Sequence, residues 1–332
     1  MDPPAAPFFV VINEGSGKHG PGSASEVIGG VFTEAAREHH LDVVEDAAAL
    51  PAAAARAVER ARARSGVVVV AGGDGTINAV ARATLASGCP LGVVPHGTFN
   101  YFGRAHGLPT EPVDAARLLL SARARPVQVG LINDRVFLVN ASLGLYPELI
   151  EDRETYKQRF GRSRVVAFGA GLATLLREHR QLRLGIADGP SMRYVRTPTL
   201  IVDNNRLQLD ELGLAEAPAV ESGELVAIAL APVGTLALLG LALRGALGRL
   251  GEADGVTRFV FQRIVVVPAM PYGSRRVKVA TDGEVVWLRA PLEIRVAPEP
   301  LMLLAPEPAA EEQPAGEAPA AETPAAEKPS PS

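Results

Sequence analysis

One stretch limits the fold more than any other: residues 66–80 read GVVVVAGGDGTINAV. Its four consecutive valines predict a strand that is covered on both faces, since β-branched residues without polar alternation suit such a position. A glycine turn containing one acid, Asp74, follows, and apolar residues at helical spacing begin near Thr76. A strand, a glycine turn and a helix in this order predict one unit of an α/β domain with a parallel sheet.

The first third of the chain repeats this alternation of strand and helix. Short runs that are apolar throughout predict strands at Phe8–Ile12, Val67–Val70 and Leu91–Val94. Helical spacing predicts three helices, which are Ser23–His40 (with the pair His39-His40 at its end), Ala52–Arg64 and Thr76–Ser87. We therefore expect a doubly wound α/β domain over residues 1–125.

After about Arg125 the pattern changes to short strands separated by turn residues. Asn133-Asp134 between two apolar runs predicts a hairpin. The other strand candidates are TPTLIVDNN, GELVAIAL, RIVVVPA, RRVKVA, EVVWLRA and LEIRVA, with helices at Ala167–Arg180 and Leu236–Leu250. We expect residues 126–304 to form a mainly antiparallel, β-sandwich-like domain.

The net charge of −4 is concentrated in one segment. Residues 305–332 contain six glutamates and one lysine, so that removing this tail leaves a charge of +1 on residues 1–304. A nearly neutral folded part argues against a nucleic-acid partner, which favours a basic domain. The tail is rich in Pro, Ala and Glu and has no aromatic or β-branched residue except Thr323, and this composition predicts disorder.

Compartment signals in the sequence predict a cytoplasmic protein. A single cysteine, Cys89, excludes a disulfide framework within the chain. The N-terminal residues lack the basic start and the long apolar run of a secretory signal. Residues 225–243 are long and apolar enough to resemble a membrane span, but Pro232 and Gly234 divide them. We predict a strand followed by a helix with one apolar face.

Three predicted strands of the first domain end in polar, glycine-rich loops, which are NEGSGK (13–18), GGDGT (72–76) and PHGTFN (95–100). Right-handed crossovers bring the carboxyl ends of parallel strands to one edge of a sheet, so these loops should meet. Glycine lets backbone N–H groups approach an anion, and a helix that begins at such a loop adds unpaired N–H groups. The pattern predicts a phosphate-binding site.

A carboxylate at the centre of such a site has two explanations. Asp74 can hold a divalent cation that bridges to phosphate oxygens and removes the repulsion. Alternatively, Asp74 accepts backbone or hydroxyl hydrogen bonds and shapes the loop. A second acid, Asp282, lies in RRVKVATDGEVVWLRA, where Asp-Gly between alternating strands predicts a hairpin turn.

Other nucleotide motifs do not fit. Residues 15–20 match the dinucleotide fingerprint G-x-G-x-x-G, but Pro21-Gly22 interrupts the helix which that motif needs. The P-loop spacing before Gly17-Lys18 is absent.

Four segments, in order, resemble the diacylglycerol kinase catalytic-domain family, which includes bacterial lipid kinases and sphingosine kinases. They are GGDGTINAV, LGVVPHGTFNYFGRAHGLP, NASLGLYPELI and TDGEVVWL. The first motif is also shared with NAD kinases and phosphofructokinases. The resemblance covers residues 8–304 and implies an N-terminal domain like that of NAD kinase and phosphofructokinase, a C-terminal β-sandwich-like domain and a nucleotide cleft between them.

The resemblance also implies ATP and Mg²⁺ as cofactors and assigns roles to residues. Asp74 is implied as a catalytic residue that also holds the metal, Glu284 as the proton acceptor for the lipid hydroxyl, and Asp282 as its catalytic neighbour. The residues implied to line the nucleotide are Asn13, Gly15, Ser16, Gly17, Lys18, Gly72, Gly73, Gly75, Thr76, Asn78 and Thr98.

The chain departs from the family pattern at three places. Tyr101 and Gln128 stand where family members carry aspartates, and SGELV (222–226) replaces a structural magnesium loop. These changes remove acids from the metal network around Asp74.

The predicted function is an ATP-dependent lipid kinase that phosphorylates a hydroxyl of a membrane lipid such as diacylglycerol. Two alternatives stay open, which are an NAD-kinase-like enzyme acting on a soluble metabolite and a nucleotide-binding lipid sensor with little turnover. Five basic residues within 153–164 favour peripheral contact with an anionic membrane surface, on its inner face. A homodimer is a further open option.

Overall fold

The structure is a computed structural model that describes residues 6–15, 23–150, 181–269 and 275–306. The elements up to residue 121 are β1 (Phe8–Asn13), α1 (Ala24–Glu34), β2 (His39–Val44), α2 (Leu50–Ala63), β3 (Val67–Gly72), α3 (Asp74–Leu85), β4 (Leu91–Pro95), α4 (Tyr101–Ala105) and α5 (Pro112–Ser121). Short 3₁₀ turns lie at Ala47–Ala49, Ala217–Ser222 and Leu250–Glu252.

The first sheet has the strand order β2-β1-β3-β4-β18-β5, where β5 is Arg123–Val127 and β18 is Leu301–Ala305. The first four strands and β18 run parallel, and β5 pairs antiparallel with β18. Helices cover both faces, because β3 sends Val68 and Val70 into a core with α2 and α3 and sends Val69 into a second core with α1 and α5. The last described strand therefore completes the first sheet.

The predicted strands and helices of the first third are confirmed, with one correction. The helix over Ser23–His40 was predicted too long: α1 ends at Glu34, and His39-His40 begins β2. Most residues of β2 are exposed or half-buried, so this edge strand lacks an apolar run and is held by its parallel ladder with β1. Pairing across sequence, rather than local pattern, decides this element.

The elements of the second region are β6 (Gly130–Ile132), β7 (Arg135–Phe137), β8 (Asn140–Gly144), β9 (Leu182–Asp188), β10 (Ser191–Thr197), β11 (Thr199–Asp203), α6 (Arg206–Glu211), β12 (Leu225–Leu230), α7 (Thr235–Ala246), β13 (Val256–Phe261), β14 (Arg263–Pro268), β15 (Arg276–Thr281), β16 (Glu284–Arg289) and β17 (Leu292–Val296). The strands form two six-stranded antiparallel sheets, with the orders β10-β9-β14-β17-β6-β7 and β13-β12-β11-β8-β15-β16. Buried residues of both sheets form one core cluster.

Both predicted hairpins are confirmed. Ile132 pairs with Arg135 around the Asn133-Asp134 turn, and Thr281 pairs with Glu284 around Asp282-Gly283. Asp282 and Gly283 both have positive φ angles, of 47° and 84°, as a two-residue turn of this hand requires.

The strand-then-helix prediction for residues 225–243 is also confirmed by β12 and α7. Within the described part of the chain, no helix is long and apolar enough to cross a membrane. The helix predicted at 167–180, the basic segment 153–164 and the tail beyond residue 306 lie outside the described residues.

Candidate functional site

The loop after β1 meets the helix that follows β3. The Asn13 side chain donates from Nδ2 to Thr76 Oγ1 over 2.9 Å, and its Oδ1 accepts from the backbone N–H of Gly15 over 3.1 Å. Asn13 and Thr76 are both buried. Two residues that are 63 positions apart therefore connect two of the predicted loops.

The loop after β3 meets the loop after β4. The N–H of His96 donates to the carbonyl of Gly72 over 2.8 Å. A Cβ placed on Gly97 would lie 2.6 Å from the Cα of Gly73, so a side chain at position 97 would collide with the backbone. The predicted convergence of the three loops at one edge of the sheet is confirmed by these contacts.

The first turn of α3 offers backbone donors to a ligand. Gly73 is the N-cap residue of this 12-residue helix and makes no side-chain capping bond. Gly75 is exposed, and a Cβ there would meet nothing within 4 Å. Thr98, across the loop cluster, is also exposed. Unpaired N–H groups at a helix start, with open space in front of them, suit an anion.

Asp74 binds the start of the neighbouring helix α4. Its carboxylate accepts the backbone N–H groups of Tyr101 over 3.3 Å and Phe102 over 3.2 Å. Burial raises the pKa of this carboxyl, and the backbone hydrogen bonds act against that rise. The loop-shaping explanation for Asp74 is therefore directly observed.

The acceptor capacity of Asp74 also fits a cation that a nucleotide brings with it. A carboxylate has about four lone-pair sites, and the two backbone N–H groups occupy only some of them. Within the described residues, no group of three or more His, Cys, Asp or Glu side chains is placed to hold a metal. Mg²⁺ commonly binds through one or two carboxylates together with phosphate oxygens and water.

The turn between β15 and β16 reaches back to α3. Asn78 Nδ2 donates to Asp282 Oδ2 over 2.6 Å and to the carbonyl of Val136 over 3.2 Å. The structure thus brings together two predicted site residues from the two regions of the chain.

The Asp282 carboxylate is surrounded by donors, although the turn that carries it is half-buried. Its oxygens also accept the backbone N–H groups of Leu138, Val139 and Asn140, at 2.7, 2.8 and 3.0 Å. Burial raises the pKa of Asp282 to about 6 despite these bonds. These four hydrogen bonds fix the position of the turn relative to α3 and to the start of β8.

Glu284 is placed differently from Asp282. Its side chain is 69% exposed and pairs with Arg135, whose Nε also donates to Thr281 Oγ1 over 2.9 Å. Arg135 is largely buried, so it holds the carboxylate of Glu284 at the surface beside the turn. Glu284 is therefore the accessible acid of the Asp-Gly-Glu motif.

The predicted nucleotide-lining residues Ser16, Gly17 and Lys18 lie outside the described residues. Gln128, which replaces an acid, donates from Nε2 to Asn204 Oδ1 over 2.7 Å and to the carbonyl of Glu224 over 3.0 Å. The Gln128 amide thus holds the loop at residues 222–226 (SGELV) through its hydrogen bond to the backbone of Glu224.

Sequence reasoning missed several residues around the site. Asp203 is 1% exposed at the end of β11, and its Oδ2 has no hydrogen-bond partner. Burial raises its pKa well above 3.8, and the nearby charge of Asp282 raises it further. The signal that could have indicated this position is the polar run DNN after an apolar strand.

A cavity of about 790 Å³ lies between α4, α6, α7 and the outer face of β11 and β12. Its walls are mostly apolar, and on α7 they include Leu238 and Leu241. Tyr101, Gln208 and Glu211 add polar groups to the lining. Its volume is within the range of small-molecule sites, about 300–1,000 Å³.

Tyr101 connects this cavity to the loop cluster. Its backbone N–H binds Asp74, while its side chain lines the cavity. Its carbonyl accepts from Asn205 Nδ2 over 3.2 Å, which links α4 to the start of α6. A polar loop cluster suited to phosphate therefore adjoins an apolar cavity.

The family model of the diacylglycerol kinase catalytic domain matches residues 7–132, which include all three loops. This part of the chain is similar to the diacylglycerol kinase catalytic-domain family.

Curated proteins that are similar to this chain agree with the match. It is 42% identical over 89 residues to a diacylglycerol kinase from Bacillus subtilis, an alignment that covers 26% of the chain and 29% of that relative. It is 46% identical over 95 residues to a probable lipid kinase YegS-like from Pseudomonas aeruginosa, covering 27% and 31%. The chain therefore spans less than a third of the length of these relatives.

Solved structures extend the likeness of the fold beyond residues 7–132. A crystal structure of a diacylglycerol kinase from Bacillus anthracis str. Sterne covers 91% of this chain and 97% of its own, with a TM-score of 0.61 and 16% identity. Another chain from the same organism aligns over the same shares with a TM-score of 0.70 and 17% identity.

Proposed function

We propose that this protein transfers the γ-phosphoryl group of ATP to a hydroxyl of a membrane lipid such as diacylglycerol. The observation that carries the proposal is the position of Tyr101, which binds Asp74 through its backbone and lines the apolar cavity with its side chain. A phosphate site and an apolar site that share one residue suit transfer between a nucleotide and a lipid. The family match and the names of the relatives support a lipid kinase.

ATP would bind with its phosphates at the loop cluster. The first turn of α3 supplies backbone N–H groups, and Thr76 and Asn13 supply a hydroxyl and an amide beside them. The close approach of Gly73 and Gly97 leaves no side chains between the loops and the phosphates. Phosphoryl transfer depends chiefly on such positioning and on neutralisation of charge.

Mg²⁺ would accompany the nucleotide, with Asp74 as its protein ligand. The cation would neutralise charge on the phosphate oxygens, which is the chemistry it supplies in such enzymes. Asp74 would then have two roles. Its carboxylate would bind the cation, and it also fixes the start of α4 and hence the position of Tyr101.

The proton of the lipid hydroxyl would pass to Glu284. The Glu284 carboxylate is exposed and pairs with Arg135, whereas the Asp282 carboxylate accepts hydrogen bonds from four donors. Asp282 would act by fixing the turn that carries Glu284 relative to Asn78 and α3. General bases of this kind typically contribute about 10²–10⁴-fold to a rate.

Peripheral contact with an anionic membrane would supply the lipid. Leu238 and Leu241 on α7 line the cavity, while Leu243 and Leu247, the second of which also lines the cavity, are 62% and 63% exposed. Arg244 lies between these two leucines and adds positive charge. Exposed leucines next to a basic residue suit insertion at the edge of a bilayer.

We infer that the two antiparallel sheets form a sandwich, because they share one core cluster. The first domain, with helices on both faces of a parallel sheet, suits the NAD kinase and phosphofructokinase type.

Radiolabelled phosphate transfer from ATP to extracted membrane lipids tests the proposal. Label that partitions into organic solvent supports it, and omission of Mg²⁺ should abolish the label. Label on NAD would favour the soluble-metabolite kinase instead. ATP binding without transfer to any lipid would favour a sensor.

A further inference from the structure

The strand β2 forms an open edge of the first sheet. The strand order β2-β1-β3-β4-β18-β5 ends at β2, so within the described residues one side of its backbone has no neighbouring strand. All six residues of β2 are in register with β1, which makes this edge long and regular. An edge of this kind presents a row of unpaired N–H and C=O groups that can pair with another chain.

The edge at β2 lacks the protection that the other edges have. Edge strands commonly carry charged side chains or proline, which prevent pairing with another chain. Strand β2 reads HHLDVV, without lysine, arginine or proline, and Leu41 and Val43 are 38% and 43% exposed. Each of the other five edge strands of the described sheets contains arginine, namely Arg123 and Arg125 in β5, Arg193 and Arg196 in β10, Arg135 in β7, Arg258 in β13 and Arg289 in β16.

The hydrogen bonds to β1 show which backbone groups of β2 point outwards. The N–H of Phe8 donates to the carbonyl of Glu38 over 2.9 Å, and the N–H of Glu14 donates to the carbonyl of Val44 over 3.2 Å. Alternate residues of a strand bond to the same neighbour, so the even-numbered positions from 38 to 44 face β1. The odd-numbered residues His39, Leu41 and Val43 therefore direct their N–H and C=O groups away from the sheet.

We infer that β2 pairs antiparallel with β2 of a second copy of this chain, about a two-fold axis at Leu41. Leu41 then faces Leu41 of the second copy, and His39 faces Val43. These pairs can exchange backbone hydrogen bonds, because all three residues direct their backbone groups outwards. The pairing joins two six-stranded sheets into one sheet of twelve strands, and an interface of one surface with its own copy closes as a dimer.

The charges of β2 select this register. His40 lies opposite Asp42 of the second copy, in a pair without backbone hydrogen bonds, where facing side chains are closest. Both hydrogen bonds from Arg56 end on Asp42 Oδ2, so within the described residues Oδ1 is available to the His40 imidazole. A shift by two residues in one direction would place Asp42 opposite Asp42, and in the other direction opposite Glu38. Like charges that face each other across strands are destabilising.

This interface is separate from the proposed function and does not depend on it. Because the two copies of β2 run in opposite directions, the carboxyl edges of the two first sheets lie at opposite ends of the joined sheet. Each copy therefore keeps its own loop cluster open to a ligand. The pairing also covers Leu41 and Val43, which are exposed in the single chain.

The first test measures the mass of the full chain in solution by light scattering after gel filtration, over a range of protein concentrations. A dimer is expected. Leu41→Lys should raise the dimer dissociation constant by about tenfold or more, because it places two like charges face to face on the axis. Tyr194→Lys, at an exposed position on the edge strand β10, is the matched control and should leave the mass unchanged.

A mixture of charge variants shows whether the effect of Leu41→Lys comes from the interface. Equal amounts of Leu41→Lys and Leu41→Glu place opposite charges face to face, so the mixture should recover the dimer mass. A monomer at every concentration of the unaltered protein would overturn the inference, as would a dimer that Leu41→Lys leaves intact. Failure of the mixture to recover the dimer would overturn the register.

Cross-linking tests the register without disturbing its charges. Cys89, the single cysteine of the chain, is buried, so a cysteine placed on β2 can be oxidised selectively. Residues in a hydrogen-bonded antiparallel pair have Cα atoms about 5.5 Å apart, which suits a disulfide. Leu41→Cys should give a covalent dimer on oxidation with copper phenanthroline, and His40→Cys, which faces Asp42, should give much less. No cross-link in Leu41→Cys, or equal cross-linking of both variants, would overturn the inference.

Discussion

Asn78 in α3 donates its side-chain N–H to the carboxylate of Asp282 over 2.6 Å, although 204 residues separate the two in sequence. This bond joins the helix that begins at the glycine loop to the turn that carries Glu284. The relative position of the phosphate loops and the proposed base therefore depends on a buried polar contact. Such contacts specify geometry because an unsatisfied partner is costly.

Asn78→Leu should destabilise the fold by about 1–3 kcal/mol, since it leaves the Val136 carbonyl without its donor and removes one donor from Asp282. The free energy of unfolding in urea measures the loss. Thr84→Val on the same helix is the control, because its hydroxyl bonds only to a local carbonyl. A loss no larger than that of the control would mean that the contact between Asn78 and Asp282 contributes little.

Asp74→Asn should lower phosphoryl transfer by about 10²-fold or more, because it removes the charge that retains the cation and disturbs the position of Tyr101. Initial rates at saturating ATP and Mg²⁺ measure the change, and circular dichroism checks the fold. Asp114→Asn, an exposed acid on α5, should leave the rate unchanged. Full activity in Asp74→Asn would reduce Asp74 to a loop-shaping role.

Glu284→Gln should lower turnover at saturating ATP by about 10²-fold or more, since the amide cannot take the hydroxyl proton. Initial rates of label transfer measure the change. Glu293→Gln removes another acid that pairs with an arginine, and it serves as the control. If turnover is unchanged in Glu284→Gln, another group accepts the proton.

Asp203→Asn should make the free energy of unfolding less dependent on pH. Burial raises the pKa of Asp203 well above 3.8, so the folded state binds this proton more tightly than the unfolded chain does. The resulting stabilisation is present below about pH 4 and is lost as the pH rises through the raised pKa.

A protonated Asp203 can also donate to Asn140, which lies directly opposite on β8 and whose Oδ1 has no partner. Urea titrations at several pH values measure the effect, and the difference should be largest at pH values well above the Asp282 pKa of about 6, where that group has finished titrating. Asp188→Asn, at an exposed position, provides the comparison. Identical pH dependence in the two variants would show that Asp203 is ionised in the folded protein.

Leu243→Glu should weaken association with anionic vesicles by about tenfold, because this leucine is 62% exposed and is not among the residues that line the cavity. Vesicle co-sedimentation measures binding, and transfer to a lipid dispersed in detergent checks that the site is intact. Tyr194→Glu changes an exposed aromatic residue of β10 and is the control. Unchanged sedimentation of the Leu243→Glu variant would place the membrane contact elsewhere.

The local sequence predicted those parts of the fold that short-range physics decides. The apolar run before GGDGT predicted β3, and Asp282-Gly283 predicted a two-residue turn, since each pattern is satisfied within a few residues. By contrast, β2 and β18 were not predicted. The strand β2 is mostly exposed and β18 lies far from its neighbours in sequence, so pairing defines both.

The candidate site also has parts that the sequence predicted and parts that it did not. Three strand ends with glycine loops were enough to predict that Asn13, Thr76 and Gly97 come together, because parallel strands share one carboxyl edge. The cavity beside Tyr101 was not predicted, since its walls come from five elements, most of them distant in sequence. Nor did any local pattern show that the Asp282-Gly283 turn would contact α3 through Asn78.

Short-range patterns were enough to predict the alternation of strand and helix, the two hairpins and the polar edge of the first sheet, because backbone geometry and apolar periodicity act over short distances. The packing of distant elements decided that Asp282 is enclosed by donors while Glu284 is accessible. The physical reason is that burial and hydrogen-bond partners are properties of packed elements. They arise from which strands and helices meet, and no short stretch of chain contains that information.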